Sequence, residues 1–327
     1  MGLMRKPLFK RLLLGVGIIA ILLLASLGYT FTAKTIDVSA YEVGAPTFER
    51  GKDSNPASLP DVTLSLIKCG NMTSKQVFVY RGGSVGQNYE SGMAAILVRH
   101  PKGAFLFDAG FGANVDQHVK TIPLLMRAFS SYEKETPAAA QLKEQGIGTE
   151  DIRAVIISHS HWDHVSGLDG FPGAQVWLLS EEAEYIRHLG KGELVNQMRD
   201  KVKLNSISLM AKQYENFRRS LDIFVDGSIV LVPLPGHTPG SLGMFVNLRS
   251  GKRFFFIGDL TWAIEGVQLP AERPWLSRTL VDNDDDEVRR SIVQVHELMN
   301  RYPDMVIVPA HDRRVHARIA SFPDVER

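Results

Sequence analysis

The stretch Ser158-His159-Ser160-His161-Trp162-Asp163-His164 holds three histidines and one aspartate within six residues. It follows directly on Ala154–Ser158, a short apolar run that predicts a buried strand. Given how often the chain uses His and Asp, chance placement of this pattern has odds of roughly one in two thousand. A loop at a strand end can turn alternate side chains towards one point. We therefore expect the first two histidines to share one metal ion, and the aspartate and third histidine to reach a second.

Three further side chains of ligand type stand where other predicted strands end. They are His237 after Ser228–Leu234, Asp259 after Arg253–Ile257, and His311 after Met305–Val308. Because ligand sites of α/β sheets collect at strand ends, we expect all seven side chains to meet. Asp108 follows the predicted strand Ala104–Phe107 in the same way, and we expect it either to orient a ligand imidazole or to cap a turn.

The available donors are imidazoles and carboxylates. The chain has one cysteine, Cys69, so it can form neither an internal disulfide nor a metal site built on several thiolates. Imidazole suits zinc, copper, iron and nickel, and carboxylate widens the choice towards manganese. The pattern therefore predicts two bound metal ions and leaves their identity open among zinc, iron, manganese and the other metals that suit these donors.

The order of predicted elements falls into two similar halves. Short apolar runs separated by glycine-rich turns predict antiparallel strands at Val62–Lys68, Gln76–Tyr80, Met93–Arg99 and Ala104–Phe107. Helices are predicted at Pro137–Gln145 and Asp284–Arg301, and Ser180–Arg219 is predicted to be mainly helical. Each half runs from strands to a helix and back to a strand. The pattern predicts an α/β fold, a four-layer αββα sandwich of two mixed β-sheets.

The N-terminal residues 1–33 predict a signal anchor with one transmembrane helix. A basic cluster ending at Arg11 precedes the uncharged run Leu12–Ala33, which is 22 residues long, and a bilayer core needs about 20 apolar residues. Because the basic cluster should stay in the cytoplasm, the rest of the chain is expected to be extracytoplasmic, in the periplasm. The alternative is export followed by signal cleavage after Ala40. Residues 34–60 predict a linker, and residues 61–327 predict the folded domain that carries the metal-ligand motifs.

Residues 61–320 resemble the metallo-β-lactamase superfamily in motif order. The matching motifs are His159-x-His161-x-Asp163-His164, Pro235-Gly236-His237-Thr238-x-Gly240, Gly258-Asp259 and His311. The segments Phe171–Ala174 and Pro309–Asp312 are most similar to the N-acyl homoserine lactone lactonase branch. The resemblance implies that one zinc is bound by His159, His161 and His237, and the other by Asp163, His164 and His311. It also implies that Asp259 and a hydroxide bridge the two ions.

By this resemblance the chain is a dinuclear zinc hydrolase whose bridging hydroxide opens a lactone or cleaves a related ester. The expected catalytic residues are Asp163, Asp259 and Trp262. The lactonase branch commonly has a tyrosine three residues after the bridging aspartate, and Trp262 stands at that position here. An indole offers a large apolar area and one N–H donor. Its possible neighbours predict a pocket for a small-molecule substrate with an apolar arm: Ile122, Leu124, Leu125, Met126, Phe129 and Trp275.

Other functions remain open from the sequence: a β-lactamase or thioesterase of the same fold, an iron-dependent redox enzyme, or a binding domain without catalysis. Two-zinc β-lactamases of the superfamily do not use a bridging aspartate like Asp259. Thioesterases of the hydroxyacylglutathione type carry a helical extension after the last histidine, whereas this chain has 16 residues after His311. The net charge of +1 gives no electrostatic case for a nucleic acid partner. The expected partners are therefore a small-molecule substrate and, through the N-terminal helix, a membrane.

Overall fold

The computed structural model describes residues 6–31, 35–43 and 56–327. Seven strands form the first sheet: β1 (Thr63–Lys75), β2 (Asn88–His100), β3 (Gly103–Phe107), β4 (Ser131–Lys134), β5 (Ile152–Ile156), β6 (Gln175–Leu179) and β7 (Lys203–Ile207). Their spatial order is β4-β1-β2-β3-β5-β6-β7. Pairing is antiparallel from β4 to β3 and parallel from β3 to β7.

Five strands form the second sheet: β8 (Leu221–Asp222), β9 (Ile229–Pro233), β10 (Leu242–Asn247), β11 (Arg253–Phe256) and β12 (Val306–Val308). Their spatial order is β12-β11-β10-β9-β8. The pair of β11 and β12 is parallel and the other pairs are antiparallel. Both sheets therefore mix parallel and antiparallel pairs, and the prediction of two mixed sheets is confirmed.

The described α-helices lie between and around these strands. They are α1 (Lys6–Phe31), α2 (Val115–His118), α3 (Leu124–Phe129), α4 (Ala138–Glu144), α5 (Trp162–Val165), α6 (Ser180–His188), α7 (Leu194–Met198), α8 (Glu265–Gln268), α9 (Trp275–Val281), α10 (Asp285–Arg301) and α11 (Arg313–His316). The longest helix of the catalytic part, α10, begins after Asp284, whose carboxylate accepts hydrogen bonds from the backbone N–H groups of Asp286 and Glu287. Such a cap satisfies helix donors that otherwise lack a partner.

Three apolar cores separate the layers. Successive side chains of β10 point to opposite faces of its sheet, so this strand contributes to two cores. Met244 faces the core between the sheets, and Phe245 faces the core beneath α10. On the α10 side, Ile292 and Leu298 are buried against the second sheet. A separate core joins the first sheet to α4, α6 and α7. Two sheets covered by helices on both outer faces give the predicted four-layer sandwich.

Two predicted elements differ from the structure. Gln76–Tyr80 was predicted as a strand, but Gln76–Phe78 forms a 3₁₀ turn. The mainly helical prediction for Ser180–Arg219 holds for α6 and α7 but fails at Lys203–Ile207, which forms strand β7. This strand pairs in parallel with β6 along five residue pairs. The sequence of this segment has no clear helical or strand periodicity. It forms a strand because it pairs with the neighbouring strand β6.

The N-terminal predictions receive a mixed result. Helix α1 covers much of the predicted anchor, but within residues 6–31, 35–43 and 56–327 no helix reaches the length and mean hydropathy of a membrane span, and these residues give the predicted anchor no support. The predicted extracytoplasmic location stays a prediction. Residues 34 and 44–55 of the predicted linker lie outside the described residues. Of the rest, Ile36 donates its backbone N–H to the carbonyl of Pro270 at 2.7 Å, so this part of the segment packs on the domain.

Candidate metal centre

The loops that follow β3, β5, β9, β11 and β12 meet at one edge of the sandwich. Backbone hydrogen bonds hold neighbouring loops together: Asp108 N–H donates to Ile156 O at 2.8 Å, and Leu242 N–H donates to Ser158 O at 2.9 Å. Gly236 precedes His237 with φ of +126°, and a Cβ there would lie 2.4 Å from the backbone nitrogen of Val288 in α10. Glycine is thus required for the turn that brings His237 against the helix.

The structure brings all seven predicted ligand side chains together. Three groups have their candidate ligand atoms within 4.8 Å of one another: His159, His161 and His237; His159, His164 and Asp259; and Asp163, His164 and His311. Asp259 stands between the histidine groups. Its Oδ1 lies 2.9 Å from His311 Nε2, and its Oδ2 lies 3.6 Å from His237 Nε2. We call the His159, His161 and His237 group the histidine half, and the Asp163, His164 and His311 group the carboxylate half.

Four of the five imidazoles are held through Nδ1, which leaves Nε2 aimed at the centre. His237 donates from Nδ1 to Asp282 Oδ1 at 2.7 Å, and His311 donates from Nδ1 to the carbonyl of Gly92 at 2.9 Å. His164 Nδ1 lies 2.8 Å from Asp108 Oδ2, and His159 Nδ1 lies 3.0 Å from Ser158 Oγ. Fixing one nitrogen in this way sets the tautomer and the ring direction of a metal-binding histidine.

The buried atoms at the centre fit a metal site. The Nε2 atoms of His159, His164 and His237 are buried, and among the described residues none of them has a hydrogen-bond partner. Leaving a buried polar nitrogen without a partner costs about 1–3 kcal/mol. Three such atoms facing one place fit a metal site, and nitrogen with carboxylate oxygen is a donor set that zinc accepts.

The histidine half favours neutral imidazoles. Burial, reinforced by the positive charge of neighbouring imidazoles, lowers the pKa of His159 well below its ordinary value. Burial and the neighbouring His237 lower the pKa of His161 to about 3. Neutral imidazole is the form that binds a metal, so this half needs no deprotonation of these two groups at neutral pH.

The carboxylate half favours protonated imidazoles and ionised carboxylates. Burial alone would lower the pKa of His311, but the charge of Asp259 and hydrogen bonds to Asp163 and Asp259 raise it to about 10. The charges of Asp108, Asp259 and Asp163 likewise outweigh burial and raise the pKa of His164 well above its ordinary value. Against its own burial, the charges of His311 and His164 hold the pKa of Asp259 well below the usual range. The two halves of the centre therefore differ in charge: the imidazoles of His159 and His161 favour the neutral form, and those of His164 and His311 favour the protonated form.

Asp108 has the orienting role that the sequence left open. Its Oδ2 bonds to His164 Nδ1, and its Oδ1 accepts the backbone N–H of Ser158 at 2.7 Å. The residue has a φ of 57°, which is uncommon outside glycine. The left-handed backbone turns the carboxylate from the end of β3 towards His164, so the chain accepts some strain in order to fix this imidazole.

Glu182 is a buried residue of the site that the sequence interpretation missed. It is 0% exposed and accepts four hydrogen bonds. Two come from the backbone N–H and hydroxyl of Ser160, and two from Thr238 Oγ1 and Gly240 N–H. One carboxylate thus joins the loop of His159 and His161 to the loop of His237. In sequence it appears only as an acidic residue in the first turn of α6, which is an ordinary position for one.

We expect Glu182→Gln to lower the free energy of unfolding by about 1–3 kcal/mol, because the amide NH₂ replaces an acceptor among four donors. The matched control is Glu181→Gln. The Glu181 side chain is 38% exposed and pairs with Arg219 on the surface, where a salt bridge contributes about 0–1 kcal/mol. Urea unfolding of both variants measures the difference. Equal midpoints for the two variants would show that Glu182 does not join the loops energetically.

A cavity of about 400 Å³ opens onto the metal centre. His161, Asp163, His237, Asp259 and His311 form its base. Its walls are largely apolar: Met72, Phe78, Val79, Met93, Ile122, Leu125, Met126, Phe129, Trp162, Leu189, Trp262, Leu276, Leu280 and Val281. Trp262 and four of its six predicted neighbours therefore line it. Leu124 and Trp275, also predicted, do not, and they are 72% and 42% exposed.

The comparisons with known proteins agree with this geometry. Residues 92–311 match the family described as the metallo-beta-lactamase superfamily. The N-acyl homoserine lactonase AttM of Rhizobium radiobacter is 22% identical over 271 residues, which cover 81% of this chain and 99% of the relative.

Solved structures are similar at low identity. An N-acyl homoserine lactone hydrolase with the product N-hexanoyl-L-homoserine bound at its catalytic metal centre gives a TM-score of 0.64 at 17% identity, covering 82% of this chain and 100% of that chain. AidC, a dizinc quorum-quenching lactonase, gives 0.55 at 14% identity, covering 82% and 90%. At these identities the structural likeness shows the fold.

Proposed function

The chain belongs to the metallo-beta-lactamase superfamily of hydrolases, and from that premise we propose that it is a two-zinc hydrolase that opens a lactone or cleaves a related ester. The observation that carries the proposal is the meeting of seven ligand side chains, in two adjoining groups, at the base of an apolar cavity. The AttM relative, described as an N-acyl homoserine lactonase, supports this substrate class. The two solved structures of the same fold are described as a homoserine lactone hydrolase and a dizinc lactonase, each with an N-acyl homoserine product bound.

Each group of side chains has a defined part in the proposed reaction. The histidine half would hold one ion and the carboxylate half the other, and Asp259, whose two oxygens face different halves, would be available to both. Zinc, when bound, lowers the pKa of water and polarises a carbonyl oxygen. The buried Asp108 and Asp282 keep His164 and His237 directed at the centre. The apolar walls exclude bulk water and orient the substrate above the ions.

The cavity supports substrates with an apolar arm. Removing a methylene from water contributes about 0.8 kcal/mol, so two further carbons contribute about 1.6 kcal/mol, which corresponds to roughly a tenfold change. We expect kcat/KM to rise by about an order of magnitude for each two carbons across a series of N-acyl homoserine lactones, until the cavity is filled. Matched alkyl esters and a β-lactam, assayed beside the series, place the lactone among the other ester and amide substrates.

Two matched substitutions distinguish an effect of the cavity wall from an effect of a charge elsewhere on the surface. Leu125→Asp places a carboxylate on the cavity wall, and we expect it to flatten the chain-length series. Leu269→Asp is the matched control, since Leu269 is 48% exposed against 42% for Leu125 and does not line the cavity. A flat series for the unaltered protein would contradict the apolar-arm proposal, and hydrolysis of β-lactams alone would contradict the substrate class.

A further inference from the structure

Trp262 makes a polar contact that an apolar wall residue does not need. Its indole Nε1–H donates a hydrogen bond to Asp259 Oδ2 at 2.7 Å. The other oxygen, Oδ1, lies 3.2 Å from His164 Nε2 and 2.9 Å from His311 Nε2. The indole therefore holds Oδ2 on the side of the histidine half while Oδ1 faces the carboxylate half.

The indole is itself held from behind. The guanidinium carbon of Arg273 lies 4.8 Å from the Trp262 ring centroid, which is within the range of a cation–π contact. Arg273 also donates from Nη1 to both oxygens of Asp282, at 2.8 and 3.0 Å. Asp282 in turn accepts the Nδ1–H of His237. A closed chain of contacts thus runs behind the centre from Asp259, through Trp262, Arg273 and Asp282, to His237.

We infer that Trp262 is a positioning residue, whose indole N–H fixes the orientation of Asp259 so that its carboxylate spans both halves of the centre. Without this donor, Asp259 is free to turn both oxygens towards the carboxylate half. The histidine half, whose other three ligands are imidazoles, then loses the carboxylate oxygen of Asp259. The inference rests on the two-ion site of the proposed function. It assigns to the N–H group a role that is separate from the apolar area of the ring.

The test is metal binding by the full chain, with Trp262→Phe compared with the unaltered protein. Phenylalanine keeps an aromatic wall and removes the N–H. We expect one of the two stepwise zinc dissociation constants, measured by competition with a chelator, to rise by about 10–100-fold, the usual range when a group that orients a metal ligand is removed. The chain-length series should keep its slope. Trp275→Phe is the matched control and should change neither constant.

A measurement on the unaltered protein keeps the inference testable if the variant folds poorly. The chain has four tryptophans, so ¹⁵N labelling gives four indole signals, and we expect one of them to exchange slowly and to shift when Zn²⁺ is added. Substitution of each of the other three tryptophans by Phe, one at a time, assigns the signal by exclusion without the Trp262 variant. Two bound ions with unchanged constants in the variant, or four indole signals that ignore zinc, would overturn the inference. Fewer than two ions in the unaltered protein would instead overturn the proposed function.

Discussion

Asp259→Asn is expected to lower kcat/KM by at least about a thousandfold and to reduce the bound metal from two ions to one or none. Metal ions contribute several kcal/mol to the stabilisation of charge in a transition state, and each 1.36 kcal/mol corresponds to a tenfold change in rate. A loss of about 4 kcal/mol therefore gives the expected factor. Metal analysis after dialysis and a lactone assay measure the two effects separately.

The geometry explains why this substitution is severe although it changes few atoms. The oxygens of Asp259 face different halves of the centre, so the NH₂ group of an asparagine must point at one half and cannot ligate a metal there. The substitution also removes a negative charge from beside His164 and His311. One half loses a ligand and both halves lose a compensating charge.

Asp304→Asn provides the matched control for Asp259→Asn. Asp304 is an exposed aspartate after α10 and lies outside the cavity lining. We expect it to bind two ions and to keep full activity. If Asp259→Asn also binds two ions and retains activity, the assignment of this carboxylate to both halves is wrong.

The position of the metal centre was predictable because its ligands follow strands. Each of His237, Asp259 and His311 comes shortly after an apolar run, and the ends of those strands lie at one edge of the sandwich. The motif that begins at His159 contains ligands of both groups, and its spacing predicted which of them share an ion. A ligand-type residue directly after a strand could therefore be placed near residues far along the chain, because the strands end at the same edge and bring their following loops together.

Asp108, which orients His164 from behind, also follows a predicted strand, but two other groups behind the ligands could not be found in this way. Glu182 and Asp282 bond to the ligand loops across 22 and 45 residues of sequence, counted to Ser160 and to His237. No local pattern marks an acidic residue that is buried by a contact so far along the chain. Ser160, which stands between two ligand histidines in the sequence, is buried for the same reason, since its hydroxyl donates to Glu182.

The same limit applies to the edge strands of the fold. All four residues of β4 are exposed, and the strand exists because it pairs with β1. Alternation of apolar and polar residues arises where one face of a strand is buried, so such an edge strand carries no such signal. Central strands such as β9 and β10 are buried on both faces and appear in the sequence as apolar runs.

The electrostatic difference between the halves of the centre predicts that they fill with zinc in different pH ranges. In the metal-free protein His311 has a pKa of about 10, raised by the charge of Asp259 against its own burial. The pKa of His164 is also raised well above its ordinary value. Both imidazoles are therefore protonated at neutral pH, and both must lose a proton before Nε2 can bind an ion.

Zinc affinity should fall as the pH is lowered, because zinc and protons compete for the same imidazole nitrogens. Below the pKa of a protonated ligand, the apparent metal affinity falls about tenfold for each unit of pH. Lowering the pH from 8 to 6 should therefore weaken binding at the carboxylate half by at least about a hundredfold, and by more because two imidazoles take part. His159 and His161, whose pKa values are lowered by burial, stay neutral over this range and have no proton to release. These two ligands should therefore add no pH dependence to metal binding at the histidine half over this range.

Competition titrations at pH 6, 7 and 8, corrected for the protonation of the chelator, measure both stepwise constants. We expect one ion to be retained at pH 6 and the second to bind only as the pH rises, with activity following the second ion. His188→Asn is the matched control, since His188 is an exposed histidine paired with Glu184 away from the centre, and it should leave both constants unchanged. A common pH dependence for both ions would contradict the uneven charge of the centre, because the raised pKa of His311 has its cause in Asp259 and Asp163, while burial governs His159 and His161.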